Sequence, residues 1–327
     1  MQWTFWLETI RHACNPSGRG RRRKAVCQQP AEALEDRSLL SVTSFFISGQ
    51  LSVSSDGSDD ITIRTNPFNP NLVQVLANGS PVTSLPMLQA NQIKSIVVEG
   101  GDGPNTIDLS LITSTRFTQN PAISVDGKQG DDIINGSLNL NDTLLGGHGN
   151  DLISAGSGVN IIDGGDGNDT LSGGAGNDSV LGNDGNDDID GGVGNDTVIG
   201  GNGLDTIDGG GGNDSMTGGD GADLIDGDTP GFSGAGNDTI FAGNGNDTIR
   251  GGDGDDLLNG DGQNDSILGG NGNDSISAGN GSDFVQGGTG NDNLNGNSGN
   301  DTIEGQAGND LINGGSDHDL VRGDDEF

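Results

Sequence analysis

The chain has 327 residues, among them 63 Gly but only 9 Phe, 2 Trp and no Tyr, so a conventional globular core is excluded over most of its length. A formal net charge of −36 makes nucleic acid and anionic membranes poor partners and points to cations instead. Beyond Lys128 the only Lys or Arg side chains are Arg250 and Arg322. The only cysteines, Cys14 and Cys27, stand ahead of the body of the protein, which disulfides therefore cannot staple.

Residues 1–41 differ in texture from everything after them. A WTFWL patch precedes a basic run of Arg19, Arg21, Arg22, Arg23 and Lys24, then PAEALEDRSLLSV. Charge follows the apolar patch and no long apolar stretch appears, so this is not an ordinary secretory signal. It is also too poor in apolar residues to span a bilayer. His12, Cys14 and Cys27 offer three ligands with no fourth in range, short of a zinc site. The string Leu34-Glu35-Asp36-Arg37-Ser38-Leu39-Leu40 resembles the LEPR-x-LL segment near the start of many bacterial exported and surface proteins, with Asp36 in place of the usual Pro. That resemblance implies an export or sorting element.

Residues 42–125 alternate apolar and polar positions: Phe45 and Ile47, Leu51 and Val53, Ile61 and Ile63, Val73 and Val75, Ile96 and Val98. Turn clusters over 54–60, 66–71 and 78–81 separate them, which predicts short β-strands and no helix. Gly100 to Asp108, GGDGPNTID, is a degenerate copy of the repeat that follows, with Asn105 in its Asp position and Ile107 in its apolar one. The region is expected to join the repeats and cap their first coil; a separate small β-sandwich is the alternative.

From 126 onward the period is nine, as Gly-Gly-x-Gly-x-Asp-x-U-x with U a large apolar residue. The sixth slot holds Asp132, Asp142, Asp151, Asn160, Asp169, Asp178, Asp187, Asp196, Asp205, Asp214 and Asp223, then Asp238, Asp247, Asp256, Asp265, Asp274, Asp283, Asp292, Asp301, Asp310 and Asp319. Two residues past each lies U: Ile134, Leu144, Ile153, Ile162, Leu171, Val180, Ile189, Val198, Ile207, Met216, Ile225, Ile240, Ile249, Leu258, Ile267, Ile276, Val285, Leu294, Ile303, Ile312 and Val321. A Gly-, Asn- and Asp-rich composition alone describes a disordered chain, the state expected without calcium. A disordered tract has no need of an unbroken aliphatic column.

The x-U-x triplet suits a short strand with one side chain inward and two outward. The Gly-Gly-x-Gly-x-Asp hexapeptide suits a turn, its glycines free to take positive φ and its fifth-slot Asn tolerant of the left-handed region. Strand and turn alternate, so two units close one flattened coil and the fold is all-β, a parallel solenoid. Coils stack about 4.8 Å apart, which sets Asp178 over Asp196 and Asp196 over Asp214. Carboxylates stacked so closely repel one another unless a hard cation intervenes. Calcium fits, because it takes six to eight oxygens that Gly-rich turn carbonyls can complete. Zinc would want His or Cys, which the turns lack. Pairs of sixth-slot aspartates eighteen residues apart number fourteen.

The repeats over 127–322 resemble the calcium-binding nonapeptides of the RTX, or hemolysin-type, family. The resemblance implies a right-handed parallel β-roll, calcium held by the sixth-slot Asp side chains and turn carbonyls, and export to calcium-rich surroundings outside the cell or on its surface. Three departures stand out. Asn160 lacks the charge for the sites it would share with Asp142 and Asp178; Gln263 and Asp317 replace fourth-slot glycines and strain those turns; and Asp223 and Asp238 lie fifteen apart, with 228–233 looped out as a bulge.

No H-E-x-x-H, G-x-S-x-G or P-loop occurs, His148 and His318 fall at variable turn positions, and no enzyme is expected. The run from Asn186 starts like an EF-hand, but its twelfth position is Thr197 where Glu is required. The function expected is a secreted or surface calcium-binding structural or adhesin-like protein, partnered by calcium and by extracellular polysaccharide or another surface protein. The alternative is the accessory calcium module of a toxin, a hydrolase or an epimerase-like polysaccharide-modifying enzyme.

Overall fold

The computed structural model describes residues 42–82, 88–117, 119–228 and 236–324. The export-like segment at 1–41 lies outside them. Its nine leading strands are β1 (Thr43–Ile47), β2 (Gln50–Ser54), β3 (Asp60–Asn66), β4 (Asn69–Ala77), β5 (Ser80–Pro81), β6 (Leu88–Gln89), β7 (Ser95–Glu99), β8 (Thr106–Asp108) and β9 (Ala122–Gln129). After them each nonapeptide contributes one strand, as the x-U-x triplet demands. The only helix among the described residues is a single 3-10 turn, Ala90–Gln92, where none was expected.

Strands alternate between two long sheets. One runs β1-β2-β7-β9 and then through every second repeat strand; the other runs from β5, β4, β3 and β8 through the remainder. Pairing between repeat strands is parallel, and partners lie one coil apart: Val180 beside Val198, Ile189 beside Ile207. Two nonapeptides per coil is thus the observed architecture, a parallel β-solenoid. The antiparallel pairs β1–β2, β3–β4 and β4–β5 all lie at the N-terminal end.

Besides the sixth-slot aspartate, two positions per repeat are buried, and they differ in size. U supplies a large aliphatic side chain and the first slot a glycine, or an alanine at Ala155, Ala242 and Ala278. The coil is therefore flat, and the U column is buried without interruption from Ile134 to Ile303. Ile312 packs at its end and Val321, in the last coil, is 45% exposed. Truncating a mid-column residue leaves a gap that two rigid sheets cannot close. Ile207→Ala, which sits between Ile189 and Ile225 in register, is expected to cost about 2–5 kcal/mol, read by urea unfolding in saturating calcium.

Of the first strand's apolar residues, Phe45 and Ile47 are 53% and 65% exposed and Phe46 between them packs on the core. Across the fifteen-residue gap, Met216 pairs with Ile240 and Ile225 with Ile249, so the register resumes with six extra residues accommodated. Of the expected bulge only Asp228 is described, as the end of a strand; 229–233 lie outside the described residues.

Candidate metal centre

Take the turn Gly191–Asp196 as the unit. Gly192 and Gly194, in the second and fourth slots, have φ of 102° and 149°. A side chain on either would also run into the carbonyl oxygen of the matching glycine one coil back, Gly174 or Gly176. Conformation and close approach thus both favour glycine there, although Lys128, Asn183, Asp261, Asn297 and Gln306 take the second slot at φ of 66–82°. Gln263 and Asp317 hold the same fourth-slot geometry at φ 79° and 82°, the backbone strain expected of them. Fifth-slot asparagines do something else than expected. None adopts positive φ; instead the Oδ1 of Asn150, Asn168 and Asn177 accepts the backbone N–H of Asn168, Asn186 and Asn195, one coil on, at 2.8, 2.7 and 3.1 Å.

The sixth slot forms a second row that runs the other way. Asp178 donates its backbone N–H to Oδ1 of Asp196 at 2.7 Å, and Asp196 donates to Asp214 at 2.8 Å. One edge of the solenoid carries Asn105, Asp132, Asp151, Asp169, Asp187, Asp205, Asp223, Asp247, Asp265, Asp283, Asp301 and Asp319 in such a chain. The other carries Asp142, Asn160, Asp178, Asp196, Asp214, Asp238, Asp256, Asp274, Asp292 and Asp310. Every sixth-slot residue named from the sequence therefore falls in one of two rows.

Spacing alone missed three junctions. Asp132–Asp151, Asp214–Asp238 and Asp223–Asp247 make the same contact at separations of 19, 24 and 24 residues, so the extra residues leave the stacking intact. Asp59 was missed altogether: its backbone N–H donates to Asn105 Oδ1 at 3.1 Å, extending the row into the leading strands, and Gly57-Ser58-Asp59-Asp60-Ile61 keeps the Gly-x-Asp-x-U end of the repeat, with Ile61 beside Ile107.

The rows leave one oxygen of each carboxylate unused. From Asp151 through Asp310, the Oδ2 of every row aspartate but Asp319 is buried without a hydrogen-bond partner, as is that of Asp132. Asp142 differs, since Ser137 donates to both of its oxygens. Asn160 keeps the acceptor role toward Asp142 but turns its amide toward the Gly173 carbonyl at 3.5 Å, so charge is missing there. Burial of unpaired carboxylate oxygens is costly, and it raises the pKa of the row aspartates from Asp132 to Asp301. Burial pushes Asp214 and Asp265 up to about 8, and Asp169, Asp238 and Asp274 to about 7; backbone N–H donation opposes the shift, and neighbouring carboxylates add to it.

The space beside each orphaned oxygen is small and lined by oxygen. A side chain on first-slot Gly182 would strike both Asp187 Oδ2 and the carbonyl oxygen of Gly200 in the next coil. Among the described residues no three His, Cys, Asp or Glu side chains converge. A cation would therefore have to combine carboxylates from successive coils with turn carbonyls, which suits a hard ion of high coordination number and not zinc. The residues present fit calcium. His148, by contrast, is exposed and sits 2.7 Å from Asp166.

Among the described residues no helix is long and apolar enough to cross a membrane. No relative was found among curated proteins. The family model for the RTX calcium-binding nonapeptide repeat matches residues 138–171, 163–198, 199–229, 232–267, 251–285, 260–294 and 286–321, more than half of the chain. Periodicity, parallel coils and paired acidic rows agree with that match, and the chain belongs to the RTX calcium-binding nonapeptide repeat family.

Proposed function

We propose that the protein is a secreted or cell-surface structural protein, adhesin-like and without enzymatic activity, whose repeats fold as they bind calcium outside the cell. The observation that carries this reading is the series of buried Oδ2 atoms without partners, spaced one coil apart along both edges. Calcium is held, in this reading, by Asp132, Asp151, Asp169, Asp178, Asp187, Asp196, Asp205, Asp214, Asp223, Asp238, Asp247, Asp256, Asp265, Asp274, Asp283, Asp292, Asp301, Asp310 and Asp319, with Asp142 a weaker participant beside Asn160. Residues 42–125 cap the first coil, residues 126–327 form the calcium-binding roll, and residues 1–41 serve export.

Calorimetric titration of the full chain tests the metal assignment: many sites filling with calcium and little heat with magnesium are expected, and no calcium heat would overturn it. A single substitution isolates the role of one carboxylate. Asp205→Asn keeps the Oδ1 acceptor for Asp187 N–H, as Asn160 does for Asp142. It should fold in saturating calcium but bind fewer ions and need more calcium to do so; unchanged stoichiometry and midpoint would show that Asp205 holds no metal. Fractionation of cells making the full chain addresses export, with recovery only from the cytoplasm the contrary result.

A further inference from the structure

Four turns place an Asn in the third slot directly before the fourth-slot glycine, Asn202–Gly203, Asn244–Gly245, Asn271–Gly272 and Asn280–Gly281, and in the first three the Asn amide donates to an aspartate one coil back. Such a step is chemically fragile in an open chain, because a glycine nitrogen meets no side-chain bulk of its own when it folds back on the preceding carboxamide. Stacking separates the two reacting groups. Gly203 N–H donates to the Asp220 carbonyl, one coil on, at 2.7 Å, while Asn202 Nδ2 donates to Asp184 Oδ1, one coil back, at 2.6 Å. Gly245 is held forward to the Gly262 carbonyl at 3.3 Å and Asn244 backward to Asp220 at 2.8 Å. Gly272 reaches forward to the Thr289 carbonyl at 2.8 Å, and Asn271 back to Asp253 at 2.6 Å. At Asn202 and Asn244 nucleophile and electrophile are thus pulled in opposite directions along the axis; the Asn271 carboxamide is pinned from both sides, since its Oδ1 also accepts from Thr289 Oγ1 at 2.8 Å, whereas at the fourth step Asn280 Oδ1 and Gly281 N–H both bond forward to Ser298.

We propose that the first three of these steps are deamidation sites that coil stacking holds shut, so that the chain is chemically durable only while stacked. When released, the glycine nitrogen bonds to Cγ of the preceding Asn and its proton goes to the departing Nδ2. The Cγ–Nδ2 bond breaks, ammonia leaves and a succinimide closes. Water then opens the ring at one or other carbonyl, to Asp or to isoaspartate, and no further reactant is needed. Isoaspartate routes the main chain through the former side chain and adds one carbon to a turn already packed against its neighbours. A coil modified in this way cannot restack, which makes the damage one-way. That calcium controls the release rests on the function proposed above.

The test follows the full chain by peptide mass spectrometry in three buffers at neutral pH: with calcium, calcium-free, and in urea with calcium, with circular dichroism recorded alongside. Deamidation at Asn202, Asn244 and Asn271 is expected to be slower by on the order of tenfold or more in the stacked protein than in urea, as for any reaction that needs local opening. The calcium-free rate should approach that in urea. Equal rates in stacked and urea-unfolded protein would overturn the inference. A calcium-free chain that remains β-sheet by circular dichroism and deamidates slowly would support protection by stacking while removing calcium as its control.

Discussion

Removing calcium from the full chain is expected to abolish most of its β-sheet signal in far-UV circular dichroism, and adding it back to restore that signal. Among the described residues seventeen junctions bring one row aspartate onto the next. A ligand at ten times its dissociation constant stabilises a folded state by about 1.4 kcal/mol per independent site. Occupancy of even most junctions then totals on the order of 20 kcal/mol, above the roughly 5–15 kcal/mol net stability of an ordinary domain. The ion also removes a penalty, since without it each orphaned Oδ2 remains buried and unpaired. An unchanged spectrum after exhaustive dialysis against chelator would show that the aliphatic column suffices by itself.

Acid should substitute in part for the missing ion. In the folded, metal-free chain the row aspartates from Asp132 to Asp301 titrate above their ordinary 3.8, with Asp214 and Asp265 at about 8 and Asp187, Asp196 and Asp223 at about 6, chiefly because burial disfavours the anion. The folded state therefore binds more protons than the unfolded state between pH of about 4 and 8, and its stability falls as pH rises through that window. Metal-free protein is expected to be unfolded at pH 8 and to regain β-sheet as the pH drops toward 5. With calcium present the direction reverses, because protons and metal compete for the same oxygens, so the calcium midpoint should move to higher concentration at lower pH. Dichroism at several pH values after dialysis, without chelator, reads both effects. A metal-free spectrum that does not change with pH would contradict the acid result.

Most of the solenoid could be read from residue order alone because its period is strict. U at every ninth position gives the inward column from Ile134 to Ile303, and Asp two residues earlier gives the rows. What escaped depends on neighbours that no local pattern encodes. The fifth-slot amide row exists only once Asn168 sits beside Asn150 in the stack, so propensity assigned those asparagines a backbone role they do not have. Phe117, Leu109 and Ile112 are fully buried in the stretch between β8 and β9, where no alternation announces them. At β1, two adjacent Phe made either face plausible, and the core took Phe46. Asp59 joined the acidic row through a chain of hydrogen bonds that leads back from Asp132 by way of Asn105, and only the short match Gly57-Ser58-Asp59-Asp60-Ile61 marks it in the sequence.

The two walls of the solenoid are built from the same nonapeptide, and this makes the interior indifferent to parity. Excising one unit downstream of Asp169 would hand every later strand to the opposite wall without disturbing the aliphatic column. The outside would not be conserved: Leu181, Ile199 and Phe241, which now share one outer surface with Thr217, would trade places with Asp190, Asp208 and Asp226 of the other. Insertions and deletions in steps of nine therefore shuffle the decoration of the protein while sparing its architecture.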